Sequence, residues 1–132
     1  MISSHAKNIK EYLALNEYGV DGVDLFHHKI PGDAEGIVVR DTGGYDTEKT
    51  LDKTEGISMP TIQIYARGEK YGYDDAYDKL TQISEFLDQI HEVTINSKRY
   101  ISIYRTSDIL DLGEDTSEKP ELSVNFMMEV GA

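Results

Sequence analysis

The sequence predicts an α+β fold, a mostly antiparallel or mixed sheet of four to five strands with two amphipathic helices packed on one face. Two patterns predict it. Residues 60–67 and 121–130 alternate apolar and polar side chains with the period of a half-buried strand. Between them, residues 73–91 carry apolar side chains at the spacing of a helix. The alternation means that one sheet face is buried, and the helical stripes supply its cover. At 132 residues the chain has room for one domain, expected to span 1–132.

The elements follow in order. Ser3 or Ser4 caps a first helix in which Ala6, Ile9 and Leu13 recur at helical spacing, with Gly19 and Gly22 expected to end it. Residues 23–30 read as a strand closed by Pro31-Gly32, and 36–40 as a second, β-branched at its centre. The polar, aperiodic stretch 41–56 reads as a long flexible loop. In 60–67, Ile62, Ile64 and Ala66 share one face, while Gln63, Tyr65 and Arg67 share the other. The second helix spans 73–91, with Tyr73, Ala76, Tyr77, Leu80, Ile83, Leu87 and Ile90 in its apolar stripe and Asp74, Asp75 and Asp78 opposite. A hairpin of 91–95 and 99–105 turns at Asn96-Ser97-Lys98 and is expected to face Tyr100 and Tyr104 outward. An acidic loop at 108–120 precedes the last strand, where Met127 and Asn125 lie on the outer face.

Charge narrows the function. There are 25 acidic against 13 basic residues, a net charge of −12, which repels nucleic-acid backbones and anionic membrane surfaces. No apolar run approaches a membrane span, and the N-terminal residues lack a secretory pattern, so the chain reads as made and used without export. With no cysteine there is no disulfide, thiolate metal site or thiol nucleophile. His27 and His28 are adjacent on a strand and point to opposite faces, so they do not chelate one metal. The acids at 108, 111, 114, 115 and 118 lack the spacing of a calcium-binding loop. No catalytic, cofactor or metal residue is identified, and the chain is expected not to be an enzyme.

The outer sheet face is more informative, since Tyr65, Arg67, Tyr100, Tyr104 and Met127 are of the residue types enriched in protein contacts. A basic stretch, Lys98, Arg99 and Arg105, and the acidic helix face at Asp74, Asp75 and Asp78 make a second, complementary pair of candidate surfaces.

The order of Val38-Val-Arg-Asp-Thr-Gly-Gly44, Met59-Pro-Thr-Ile-Gln-Ile-Tyr-Ala-Arg-Gly68, Ala76-Tyr77, Tyr104-Arg-Thr-Ser-Asp108, Leu112-Gly-Glu-Asp115 and Glu121-Leu-Ser-Val-Asn-Phe126 resembles the minor capsid, tail-terminator-like proteins of long non-contractile-tailed phages. The resemblance covers most of the chain from the first helix to the last strand. One departure is Thr116-Ser-Glu-Lys119-Pro120, whose single base is Lys119. The resemblance implies a structural virion protein without cofactor. It implies a homo-oligomeric ring, a hexamer, that caps the tail tube and offers a docking surface to the head–tail connector, with tail-tube and connector proteins as partners and DNA only as passing cargo. Acids would then line the channel, with Asp46, Glu48, Asp52 and Glu55, or Asp111, Glu114 and Asp115, as the candidates. A neck-completion protein and a small acidic cation- or ligand-binding module are the alternatives.

Overall fold

The computed structural model describes residues 4–32, 34–46 and 58–131. In order these form α1 (His5–Leu15), β1 (Leu25–His27), β2 (Gly36–Asp46), β3 (Ser58–Arg67), α2 (Tyr73–Leu87), β4 (His91–Ile95), β5 (Lys98–Arg105), β6 (Leu110–Glu114) and β7 (Pro120–Gly131). The strands build one sheet in the order β1-β2-β3-β7-β5-β4, and β6 pairs with β7 beyond the end of β5. All pairings are antiparallel except β1 with β2. The fold is α+β as expected, with seven strands where four to five were predicted.

Both helices lie on one sheet face. Ala6, Ile9 and Leu13 of α1 and Ala76, Leu80, Ile83 and Leu87 of α2 close over Ile37, Val39, Ile62, Ile64, Val124, Phe126 and Met128. Phe86 joins the helices, stacking 5.8 Å from Tyr12 and 4.7 Å from Tyr18 between ring centres. Ser4 is the cap of α1, its hydroxyl accepting from the Lys7 amide at 3.1 Å.

The helices stop earlier than periodicity predicts. Asn16 ends α1 by donating to Tyr12 O from both its backbone and its side chain. Asp88 caps α2, which frees His91 to begin β4. Tyr73 and Tyr77 fall outside the buried stripe, exposed to 38% and 44%, while Ala76 between them is buried. The first strand shortens to Leu25–His27.

Two extensions of the sheet escaped the sequence. Strand β2 runs on to Asp46, where a loop was expected from Asp41. Gly43 and Gly44 adopt φ of 101° and 128°, and a bulge between Asp41 and Gly43 shifts the register to β3. The remainder of the expected loop, 47–57, lies outside the described residues. Strand β6 falls within the expected acidic loop. All five of its residues are exposed, so it carries no alternation to read. It exists because β7 offers unpaired backbone groups at Pro120–Ser123.

The second sheet face is partly covered by the chain itself. The connection from β1 to β2 folds across it, packing Phe26, Ile30 and Ala34 onto Val38 and Tyr65. What stays open on that face is its other half, where Tyr104 pairs with Met127 and Gln63 with Asn125, all half-buried.

Candidate assembly surfaces

Three residues expected on the outer surface hold the fold together instead. Tyr65 does sit on the outer face, but the connection from β1 to β2 leaves it 5% exposed, and the Arg40 guanidinium stands 4.7 Å over its ring. Arg67 ties that connection down, with Nη1 donating to Gly32 O at 2.9 Å and to Ala34 O at 3.4 Å. Its Nε lies 3.7 Å from the Asp115 carboxylate.

Tyr100 is the clearest correction. It is fully buried on the helix side. The pairing of β5 with β7 slips between Tyr100 and Ser102, so Tyr100 opposes Val130 while Ser102 opposes Glu129. The extra residue, Ile101, inverts the facing of everything before it. Both Tyr100 and Ile103 therefore point inward, three positions apart.

The hydroxyl of Tyr100 accepts a hydrogen bond from Asn8 Nδ2 at 3.0 Å and lies 2.9 Å from His5 Nδ1. Asn96 Nδ2 donates to Asn8 Oδ1 at 2.9 Å, which links the hairpin turn to α1. Burial holds the His5 imidazole below its ordinary pKa, against the opposing pull of Asp41. Burial likewise raises the Tyr100 phenol. This buried network left no mark in sequence periodicity, since its members are 92 and 95 residues apart.

Asp41 and His27 complete the polar end of α1. Asp41 Oδ1 accepts from the Ala6 amide at 2.9 Å, a carboxylate at a helix N-terminus. His27 Nε2 lies 3.0 Å from Ser4 Oγ and 3.9 Å from Asp41 Oδ2. The same ring nitrogen faces both groups, so Ser4, His27 and Asp41 do not make a nucleophile–base relay, which needs the two imidazole nitrogens for two different partners. Among the described residues no cluster of His, Asp or Glu is placed to hold a metal ion, and no helix is long and apolar enough to cross a membrane.

The charged candidates divide. Asp74, Asp75 and Asp78 are exposed on α2, and Asp78 accepts from Gln82 at 2.9 Å. Lys98 and Arg99 start β5 and Arg105 ends it, some 23 Å away at strand rise, so they do not form the single basic patch that their nearness in sequence predicts. Arg99 is held by Glu92 through two contacts of 2.9 and 2.7 Å. The Arg105 amide donates to Asp88 at 2.7 Å.

Of the candidate channel acids, Asp111 and Glu114 are exposed on β6. Asp115 is instead a turn residue. Its carboxylate accepts from the Lys119 and Ser117 amides at 2.9 and 2.8 Å, and those bonds, the Lys119 one first, hold its pKa below the usual carboxylate range. Glu48, Asp52 and Glu55, and the side chain of Asp46, lie outside the described residues.

Sequence reasoning missed one surface. Tyr71, Tyr73 and Tyr77 at the start of α2 and Leu110 and Leu112 on β6 are exposed, Tyr71 to 85%. Tyr73 and Tyr77 stack at 6.0 Å. A cleft of about 210 Å³ is lined by Tyr71, Tyr73, Asp111, Gly113, Glu114, Glu118 and Pro120. The signal that would have exposed it is the run Leu-Asp-Leu-Gly-Glu, whose two leucines have no partner in any buried stripe.

Among the described residues this architecture has a main apolar core under the helices, a smaller apolar cluster on the other sheet face, and exposed aromatic side chains beside surface acids. Its fold is similar to that of a chain in the solved virion of a native gene transfer agent particle, with a TM-score of 0.65 at 12% identity, covering 98% of this chain and 96% of that one. No curated protein matches. Residues 12–130 match the family described as bacteriophage tail terminator protein, and the chain belongs to that family. It is a structural phage tail protein of the virion, placed at the tail end or head–tail junction.

Proposed function

We propose that this protein closes the phage tail as a homo-oligomeric ring, a hexamer, that caps the tail tube and presents the surface on which the head–tail connector docks. The observation that carries the reading is the family match across nearly the whole chain. The shape of the subunit supports it. A ring needs a heterologous contact, so each subunit must offer two unlike surfaces. Here the acidic end, with Asp74, Asp75, Asp78, Asp111 and Glu114, lies at the start of β7, while Lys98 and Arg99 flank its end. The half-buried row of Tyr104 and Met127 is a third surface for a neighbour or for the tube.

The surplus of acid serves the same role. DNA passes through such a ring as cargo, and carboxylates facing the channel keep it from adhering. Asp111 and Glu114 are the channel candidates among the described residues. Neither catalysis nor a cofactor enters this function.

The test is a capping assay. Purified tail tubes incubated with the protein should stop elongating and carry a ring at one end in negative-stain images. Tubes that elongate unchanged, together with binding to the portal side in a pull-down, would replace this reading with that of a neck-completion protein.

A further inference from the structure

We propose that a one-way chain of hydrogen bonds from Glu11 to His5 latches the tip of the β4–β5 hairpin to α1, and that a proton taken up at His5 undoes the latch. The inference does not depend on the ring reading above.

The direction of the chain follows from its ends. Asn96 Nδ2 lies 2.5 Å from Glu11 Oε2 and 2.9 Å from Asn8 Oδ1. An ionised carboxylate only accepts, so the Asn96 group beside it is the NH2, which donates to both neighbours. Asn8 thus turns its oxygen to Asn96 and its own NH2 to Tyr100, whose hydroxyl accepts at 3.0 Å. That leaves the Tyr100 hydrogen to donate to His5 Nδ1, 2.9 Å away. A neutral imidazole accepts there and carries its proton on Nε2. Each member donates to the next, and the chain ends on an unprotonated nitrogen.

A proton on His5 Nδ1 reverses the last link. Tyr100 then faces two donors, and its own hydrogen has no acceptor among the described residues. Asn8 and Tyr100 are fully buried, so the stranded hydroxyl is costly. Asn8 does not turn over to offer its oxygen while Asn96, pinned by Glu11, donates to it.

The groups around the ring act on the same proton. His5 is the first residue of α1, where the helix dipole disfavours a cation. Lys98 of β5 opposes the charge as well, whereas Asp41 of β2 favours it, with Oδ1 already taken by the Ala6 amide. His27 of β1 reaches this end of α1 through Ser4 and Asp41, and its protonation brings a second cation there.

Proton uptake is therefore linked to release of the tip. Once released, His5 regains its ordinary value of 6.5, so the released form gains by about tenfold per pH unit at most below 6.5, levelling off under the native midpoint. Lys98 and Arg99 follow the tip directly, so acid displaces the basic pair that the ring reading assigns to a subunit contact.

The test is an NMR titration of the intact chain from pH 7.5 to 5, reading the imidazole nitrogens and the side-chain amides. Neutral His5 should show the Nε2–H tautomer, and the Asn8 and Asn96 amide signals should move with its midpoint. Asn96→Gly suits the positive φ of 49° at that position and removes the pin. Asn8 is then free to turn over, so the His5 midpoint should rise although Asn96 does not bond to His5. Should the glycine turn fail to form, Tyr100→Phe decides, since it removes the donor that favours the neutral ring and should raise the midpoint too. An Nδ1–H tautomer in the parent, or a midpoint that stays or falls in the deciding variant, would overturn the latch and leave burial alone as the cause.

Discussion

Replacing Tyr100 with phenylalanine separates the facing that strand alternation predicts from the one that the bulge imposes. The substitution keeps the ring and removes one oxygen. In the fold that oxygen takes a hydrogen bond from Asn8, which is itself fully buried, and it lies 2.9 Å from His5 Nδ1. The ring still fills its site, so no cavity term enters. What remains is an amide N–H of Asn8 without that partner, worth about 1–3 kcal/mol. Taking about 2 kcal/mol and a urea slope of about 2 kcal/mol/M, the unfolding midpoint should fall by about 1 M. The melting temperature should fall by about 6–8 °C. Urea unfolding followed by circular dichroism reads the first and a thermal scan the second, while ring assembly at a temperature below melting should be unchanged. A midpoint within about 0.2 M of the parent, combined with defective assembly, would refute the reasoning. It would mean that the phenol faces outward as an interface residue.

Three further outcomes are expected. Because burial lowers the His5 pKa below its ordinary 6.5, the unfolded chain binds a proton that the native one does not. Stability is therefore full above pH 6.5 and declines as pH falls below it, and a His5→Gln variant should flatten that limb in urea midpoints measured from pH 7.5 to 5. At Gly36, φ is 149° and an added Cβ would stand 2.7 Å from Asp24 O across the β1–β2 pairing, so Gly36→Ala should lower stability by about 1–3 kcal/mol in the same assay. Tyr104→Glu should leave the unfolding free energy within about 0.5 kcal/mol and weaken assembly, whereas Tyr65→Glu should unfold the protein by placing a carboxylate in the pocket of Ile30 and Val38.

The parts of the fold legible in the sequence are those whose side chains repeat with a local period. The buried faces of α1, α2, β3 and β7 follow directly from where apolar residues recur, since one face of each must meet the core. The acidic face of α2 was legible for the same reason, being the complement of the apolar stripe. The resemblance in residue order pointed to the tail terminator family, and the match over residues 12–130 agrees.

Other features depend on contacts between residues distant in the chain. Strand β6 has no pattern of its own and is created by the free edge of β7. The facing of Tyr100 is decided by one residue of slip against β7, and a single slip inverts every side chain on its side of the bulge. Tyr65 and Arg67 do occupy the outer face that alternation assigns them, but only the tertiary fold brings Phe26, Ile30 and Ala34 across that face and turns two candidate contact residues into internal struts. Local sequence thus determined which faces are apolar, because burial acts on each side chain by its own chemistry. The tertiary structure decided which of those faces stay open to a neighbour, because cover comes from whichever segment the chain brings back over them.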